Sequence, residues 1–555
     1  MKKGKRRLVL KRSVAFVLVA AIALFAFAPP AEKYFEIAKS LDIFSTLFKE
    51  VNAFYVDDVD PKKLVDKGIN GMLESLDPYT QYISEDESEA FSIQTTGQYA
   101  GIGALIGIVN DKTVVTHPYL GFPAFRAGVK VGDEFVSIDG QNVKGKPTGV
   151  VSSALKGKPK TEVELILHRP GIKEDLKFKI QRERIKISNV VYSGMLDGTT
   201  GYIKLDDFTP GASKEVQDAV VRLKSSGAKK LILDLRDNPG GLLYEAINIV
   251  NIFIPKNKEV VSTKGKAADW NKTYLTLNDP VDTEIPLAIL TSGGSASASE
   301  IVAGSLQDYD RAVLIGERTF GKGLVQTTRP LAYNAQLKVT TAKYYIPSGR
   351  CIQALDYTHR DDDGSVKRVA DSLKVAFKTT HGRKVFDGGG LDPDIPVSPE
   401  TFGSAASELV ASGLMFEYAS IYCAENTPPA SLKGFRLSDA DYAKFTSWVK
   451  SQKFTYTDQL EKRADDLIAA AKNERYYNEL SANLNDLKAR IAANHEGEFT
   501  RFKKEISSIL ELEIAFHYGL NAGQAEASVD RDPEIQAAIK TLDNPAAYKK
   551  ILLPQ

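Results

Sequence analysis

The sequence predicts an α/β protein of several domains with helical regions at both ends, and three observations carry that prediction. The chain has 555 residues, more than one hydrophobic core can organise, so three or four domains are expected. Its middle holds short apolar runs, Lys230–Leu235 and Leu287–Leu290, with the length of buried strands. The second is followed by Ile301, Val302, Leu306 and Tyr309 at helical spacing. Towards both ends the apolar residues recur at helical spacing instead, as in Leu41, Ile43, Leu47 and Phe48 and again in Leu480, Leu484, Leu487 and Ile491.

Composition is that of an ordinary globular protein, with 43% hydrophobic and 26% charged residues. A net charge of +1 argues against a nucleic-acid partner and against broad membrane-surface binding. Two cysteines, Cys351 and Cys423, allow at most one bridge and no disulfide framework. There is no HExxH and no Cys/His cluster, so neither a metal nor another cofactor is expected. Lys2, Lys3, Lys5, Arg6, Arg7, Lys11 and Arg12 precede the apolar run Val14–Ala28, the pattern of an export signal. Ala26-Phe27-Ala28 offers a cleavage site, but Pro29 disfavours cutting there, and the run is short of the roughly 20 residues of a span. Residues 1–30 are therefore read as a signal peptide or a membrane anchor. The expected location is the cell envelope, periplasmic, with both alternatives open.

The chemistry concentrates between Pro286 and Gln326. Gly294–Glu300 reads GSASASE between the apolar run and the helical pattern, which places three serines at a strand-to-helix turn. Free N–H groups at a helix start favour negative charge, as the oxyanion of acyl transfer requires. A structural role competes evenly on this stretch alone, because Ser297 and Glu300 make the S-x-x-E capping box. A serine nucleophile needs a base. The six histidines, His117, His168, His359, His381, His495 and His517, are scattered, whereas a neutral lysine is a known substitute. Lys322 lies between two glycines in the weakly charged run Thr319–Leu331. To act as a base it must be neutral near pH 7, well below lysine's ordinary pKa of about 10.4, and burial acts in that direction. Gly316–Gly323, GERTFGKG, falls one residue short of the phosphate loop GxxxxGK[ST], with Gly323 where the magnesium ligand belongs. Strand-like alternation from Val325 to Tyr345 replaces the helix such a loop requires, so nucleotide binding is discounted.

GSASASEIVAGSLQDYDRAVLIGERTFGKGLVQ closely resembles the carboxyl-terminal processing, or tail-specific, proteases. The resemblance implies Ser297, the middle serine, as nucleophile, Lys322 as base 25 residues later, and Gln326 orienting the lysine. It extends to Arg236–Gly241, similar to the family's DLR-N-PGG, which implies an oxyanion hole from the Ala298 N–H and that of Gly240 or Gly241, a choice left open. Leu76–Thr80 (LDPYT), Tyr344–Arg350 (YYIPSGR) and Gly388–Pro396 (GGGLDPDIP) also fit. Phe122–Val129 with Gly132–Gly140 resembles a PDZ domain, a module that adds a peptide as an extra strand and holds its carboxylate with backbone N–H groups. That role falls to Gly101, Ile102 and Gly103. A dinucleotide reading of these glycines fails, since the third glycine, Gly107, comes one residue late and no helix follows.

The expected order is an N-terminal helical region at 31–91, a PDZ domain at 92–184, a crotonase-like protease core at 185–400, and a helical C-terminal extension at 401–555. No resemblance reaches the last part. Its 4-3-4 leucine spacing is a heptad seam that fits helices within one domain better than a coil joining two copies, so a homo-oligomer stays a secondary expectation. The expected function is an exported Ser/Lys endopeptidase that takes unstructured C-terminal tails of protein substrates through its PDZ domain, with an adaptor or activator protein as a further partner. A catalytically silent PDZ adaptor or chaperone of the cell envelope is the alternative.

Overall fold

The structure is a computed structural model and describes residues 31–361 and 365–553; the expected export signal lies outside these. The chain divides after Tyr82 into two units. The first holds helices Ala31–Phe54 and Pro61–Glu74. The second of these starts sharply because Asp60 accepts the N–H groups of Lys62 and Lys63, at 3.0 and 3.2 Å, and Pro61 takes the first helical position. The turn read from Asp77-Pro78 closes on the Asp77 carboxylate, which accepts from the Tyr79 and Thr80 N–H groups at 2.8 Å each.

In the second unit, strands Gln98–Gly101 and Glu183–Lys186 pair antiparallel and form a neck. Between them lies the sheet of Ala104–Val109, Lys112–Pro118, Glu134–Ile138, Glu162–His168 and Leu176–Gln181, in that order. The alternation read from Val163, Leu165 and Leu167 is the core-facing side of its strand, packed on Val151 and Leu155 of helix Thr148–Leu155. Ala104–Val109 is an edge strand with this helix beside it.

After the neck come β1 (Val190–Met195), β2 (Thr200–Leu205), α1 (Ala212–Ser225), β3 (Lys230–Asp234), α2 (Leu243–Phe253), β4 (Leu287–Thr291), α3 (Ala298–Asp308) and β5 (Val313–Gly316). β6 (Leu324–Pro330) and β7 (Gln336–Tyr345) form an antiparallel pair in another sheet, and β8 (Ile395–Pro396) returns to the first. That first sheet runs β1-β2-β3-β4-β5-β8, parallel except at β1. Parallel strands are buried on both faces, which explains their unbroken apolar runs. Leu231, Leu233, Leu287 and Ile289 face α1, α2 and α3. The alternate residues Ile232, Ala288, Leu290, Val313 and Ile315 face Ile535, Ala538, Leu542, Tyr548 and Leu552, carried by α4 (Pro533–Leu542) and α5 (Pro545–Leu552). Part of the segment expected as an extension thus completes the core. The Tyr548 hydroxyl even borders β4, accepting from the Leu287 N–H at 3.0 Å.

The rest of the C-terminal segment has its own core of Leu409, Met415, Tyr418, Phe445, Ile506, Leu510 and Ile514. The heptad seam lies on helix Tyr477–Arg501, which pairs with Gln459–Asn473 of the same chain; Leu484 is buried there, while Leu480 and Leu487 stay exposed. Helix Leu414–Glu425 also meets the sheet that begins at Ala104. Asn110 and Lys112 reach the Glu417 carboxylate at 2.8 and 3.2 Å. Gly132, at φ 89°, packs so tightly that a Cβ would stand 1.9 Å from the Ser420 hydroxyl. Cys351 and Cys423 are both free thiols. Among the described residues no helix is long and apolar enough to cross a membrane.

Candidate active site

β4 ends at Thr291 and α3 begins at Ala298, so the Gly/Ser/Ala run is the turn joining a buried strand to a buried helix. Ser297 closes it with φ 55° and ψ −112°, a conformation costing a side chain-bearing residue of order 1–3 kcal/mol. Such strain at a strand-to-helix turn raises a serine out of its surroundings. The capping box read from the sequence is formed as well. The Ser297 hydroxyl accepts from the Glu300 N–H, and Glu300 Oε2 accepts from the Ser297 N–H at 2.9 Å.

The three serines differ in a way the sequence did not reveal. Ser295 is wholly buried, its hydroxyl donating to the Leu235 carbonyl at 2.8 Å and accepting from the Ser292 N–H at 2.9 Å. Ser299 is equally buried and donates to the Asn238 carbonyl at 2.9 Å. Ser297 alone of the three reaches the surface.

Glu300 joins the serine to the lysine. Its Oε2 also accepts from the Lys322 N–H at 2.8 Å, while Oε1 accepts from the Gly321 N–H at 2.8 Å and the Thr319 hydroxyl at 2.6 Å. One fully buried carboxylate thus takes four donors, from the helix start and from the loop 21 residues on. Burial raises this carboxyl above its ordinary value, against the four hydrogen bonds that pull it down. From the opposite side the Tyr344 hydroxyl donates to the Lys322 carbonyl at 2.6 Å and lies 3.2 Å from that of Ser297. Lys322 itself is half-buried. Gln326 sits on β6 and donates from Nε2 to Thr340 Oγ1 of β7 at 3.2 Å. The Gly321 and Lys322 N–H groups that a phosphate loop would offer are held by Glu300, and a strand follows them, so the chain departs from nucleotide binding here.

The loop after β3 lies against the same turn. Asn238 is buried, and its Nδ2 donates to the Leu205 carbonyl at 2.7 Å. Its own carbonyl accepts from the Ala296 N–H at 3.0 Å. Its Oδ1 takes the Gly240 N–H at 2.9 Å. Gly240, at φ 94°, is pressed onto the turn, where a Cβ would stand 2.7 Å from the Ala298 nitrogen and 2.9 Å from Ser297 Cβ. The N–H groups of Gly241 and Ala298 meet no acceptor among the described residues. Beside the edge strand Ala104–Val109, Ile102 is a core side chain whose carbonyl accepts from the Ala124 N–H at 2.8 Å, and the Gly103 carbonyl accepts from that of Tyr119 at 2.9 Å. Gly101 ends the neck strand.

Sequence reasoning missed Asn238, Thr319 and Tyr344 as parts of this arrangement. It saw Glu300 only as a cap; the capping box was the available signal, but it says nothing of a partner 21 residues away.

Fold and site together define a serine-type peptidase with a PDZ domain set into it. Residues 199–359 match the model for peptidase family S41, and 114–169 match that of the PDZ domain. Residues 29–87 match the activating protease CtpB N-terminal domain. Residues 405–542 match the C-terminal helical domain of probable PDZ-proteases, which corrects the expectation that family resemblance ends near Thr401. A carboxy-terminal-processing protease of Bartonella bacilliformis is 40% identical over 325 residues, covering 58% of this chain and 74% of that one. A probable CtpA-like serine protease of Staphylococcus aureus is 39% identical over 317 residues, 56% of this chain and 62% of that one. A photosystem II D1 C-terminal processing protease of known structure is 28% identical and covers 64% of this chain and 92% of that one, with a TM-score of 0.34. The chain belongs to the carboxyl-terminal processing proteases of peptidase family S41.

Proposed function

We propose that this protein is an exported endopeptidase of the cell envelope that takes unstructured C-terminal tails through its PDZ domain and cleaves them with a Ser297/Lys322 dyad. The observation that carries this is the joint hold of Glu300 on Ser297 and Lys322, which brings an accessible, strained serine and a lysine loop under one buried carboxylate. In the first step the Ser297 hydroxyl oxygen bonds to the scissile carbonyl carbon while its proton passes to neutral Lys322 Nζ. The oxyanion is met by the N–H groups of Ala298 and Gly241, since that of Gly240 is committed to Asn238. Collapse breaks the C–N bond, the leaving amine takes the proton from Lys322, and water then hydrolyses the acyl-serine by the same route. Gln326, whose amide donates to Thr340, is the proposed partner that steadies the lysine without adding charge.

Tail capture rests on the edge strand Ala104–Val109, open to strand addition beside helix Thr148–Leu155. The preceding Ile102 and Gly103 N–H groups meet no acceptor among the described residues, as a carboxylate site requires. The parallel sheet with helices following its strands supports the crotonase-like reading of the core, and an activator or adaptor protein is the proposed partner. The test is a fluorophosphonate probe. It should label the wild-type protein at a single serine and leave Ser297→Ala unlabelled and unable to cut a peptide substrate; labelling of Ser297→Ala at full extent would overturn the assignment.

A further inference from the structure

Arg236 stands between β3 and the glycine loop, four residues before Gly240. Its guanidinium is largely buried and gripped from two directions. From its own strand, Asp234 accepts from Nε and from Nη2, the latter at 2.6 Å. From the C-terminal segment, Asp532 accepts from Nη1 at 2.8 Å, and Glu534 pairs with the same nitrogen. Asp532 divides its carboxylate: Oδ1 caps α4 through the Glu534 and Ile535 N–H groups at 3.0 Å each, which leaves Oδ2 for Arg236. The backbone of Arg236 is held too, its carbonyl accepting from Lys204 Nζ at 2.6 Å. The ion pairs push the Arg236 pKa further up and hold the Asp234 carboxyl well below the usual range, against the burial of both groups.

On the side of these ion pairs the loop lacks a packed backing. A cavity of about 520 Å³ lies there, walled by Arg236, Asp237, Ser292, Asp532 and Glu534 together with apolar side chains such as Val191 and Leu512. Leu235 anchors the start of the loop in the core on one side, and on the cavity side the charge pairs of Arg236 hold it. The next residues carry the placement onward. The Asp237 N–H donates to Ser292 Oγ at 2.9 Å, and Asn238 anchors the Ala296 N–H and the Ser299 hydroxyl.

We propose that Asp532 and Glu534 are positioning residues for hydrolysis: through Arg236, the first turn of α4 sets the loop Asp237–Gly241 against the serine turn. The proposal rests on the reading of Gly241 as an oxyanion donor. A donor of this kind is worth about 10²–10³ in kcat when lost, and a loop freed at one end retains part of that. Glu534→Gln and Arg236→Gln are each expected to lower kcat about tenfold or more with KM within about twofold. The double variant should be no worse than the poorer single one, because both cut the same link.

The control is Asp543→Asn. It breaks the ion pair of Asp543 with Lys230 at the far end of α4, and it should lower the melting temperature without lowering kcat. Glu534→Asp, which keeps the charge, should restore part of the rate lost in Glu534→Gln. Unchanged kcat in Glu534→Gln overturns the proposal, as does an equal loss in Asp543→Asn, which would mean that α4 matters only for stability. Additive losses in the double variant overturn it as well. Fluorophosphonate labelling separates the underlying reading: if the wild-type protein is not labelled at Ser297, the site assignment fails and the proposal with it. If Ser297 is labelled but Glu534→Gln matches wild type in kcat, only the proposal fails.

Discussion

Replacing Glu300 tests whether one carboxylate holds serine and lysine loop together. Alanine at 300 leaves the buried N–H of Gly321 and the partly buried N–H groups of Ser297 and Lys322 without an acceptor, at ~1–3 kcal/mol each. The sum is about 3–9 kcal/mol, a large share of the 5–15 kcal/mol that keeps a domain folded. Glutamine separates the two halves of the carboxylate. Its amide nitrogen fits better on the Oε1 side, where Thr319 Oγ1 can accept a hydrogen bond, than on the Oε2 side, where it would face the Ser297 and Lys322 N–H groups together. Glu300→Gln then loses chiefly the Gly321 bond, at ~1–2 kcal/mol, and keeps the tie between serine and lysine. Expected are a loss of kcat/KM within about tenfold for glutamine, and for alanine a markedly lower melting temperature with little fluorophosphonate labelling. Because burial raises the Glu300 carboxyl, its protonation contributes to the acid limb of the wild-type pH profile, and glutamine should weaken that limb. An alanine variant that melts and cleaves like wild type would refute the reasoning.

Lys322→Arg keeps the positive charge but cannot give up its proton at working pH. It is expected to be as inactive as Lys322→Ala in peptide cleavage, and an active arginine variant would move the base elsewhere. Amidating the C-terminus of a model substrate should weaken cleavage, measured as kcat/KM against the free acid; equal rates would mean that the PDZ domain does not read chain ends. His517, buried beside Ser420, has its pKa pushed down to about 4, and Glu513 one turn away is pushed up to about 7, each by burial. Unfolding frees the histidine to bind a proton, so its contribution to stability is lost as pH falls from 6.5 towards 4. The folded protein binds the glutamate proton first, so that contribution grows as pH falls from 7 to 4.5. The two oppose each other over pH 4.5–6.5. Glu513→Gln should therefore lose stability relative to wild type as pH falls from 6.5 to 5, read by denaturant melts; a constant difference would contradict the sign.

Much of this was legible because strands buried on both faces write themselves as unbroken apolar runs. Lys230–Asp234 and Leu287–Thr291 are such strands, and the Gly/Ser/Ala run between strand and helix became the turn that the site needs. The alternation at Val163, Leu165 and Leu167 likewise gave the inner face of a PDZ strand. What escaped were contacts between segments far apart in sequence. A capping box is a local pattern and announces the Ser297–Glu300 exchange, but the same carboxylate's hold on Gly321 and Lys322 depends on how β5 delivers the next loop. Ser295 and Ser299 could not be told from Ser297 by sequence, since burial against Leu235 and Asn238 makes the difference. The C-terminal segment misled for a related reason. The amphipathic pattern of α4 and α5 shows that a face is covered without naming its cover, and the strands β3, β4 and β5 in question lie more than two hundred residues earlier.

The placement of α4 and α5 also fixes when the enzyme can come into being. Until these helices fold back, Ile232, Ala288, Leu290, Val313 and Ile315 lack the cover of Ile535, Ala538, Leu542, Tyr548 and Leu552. Every residue of the hydrolytic turn is translated long before that moment. A nascent chain, or one broken off before about residue 530, thus carries the serine and the lysine without a finished sheet to hold them. Hydrolysis is therefore expected to begin only once residues 533–552 have docked on the sheet.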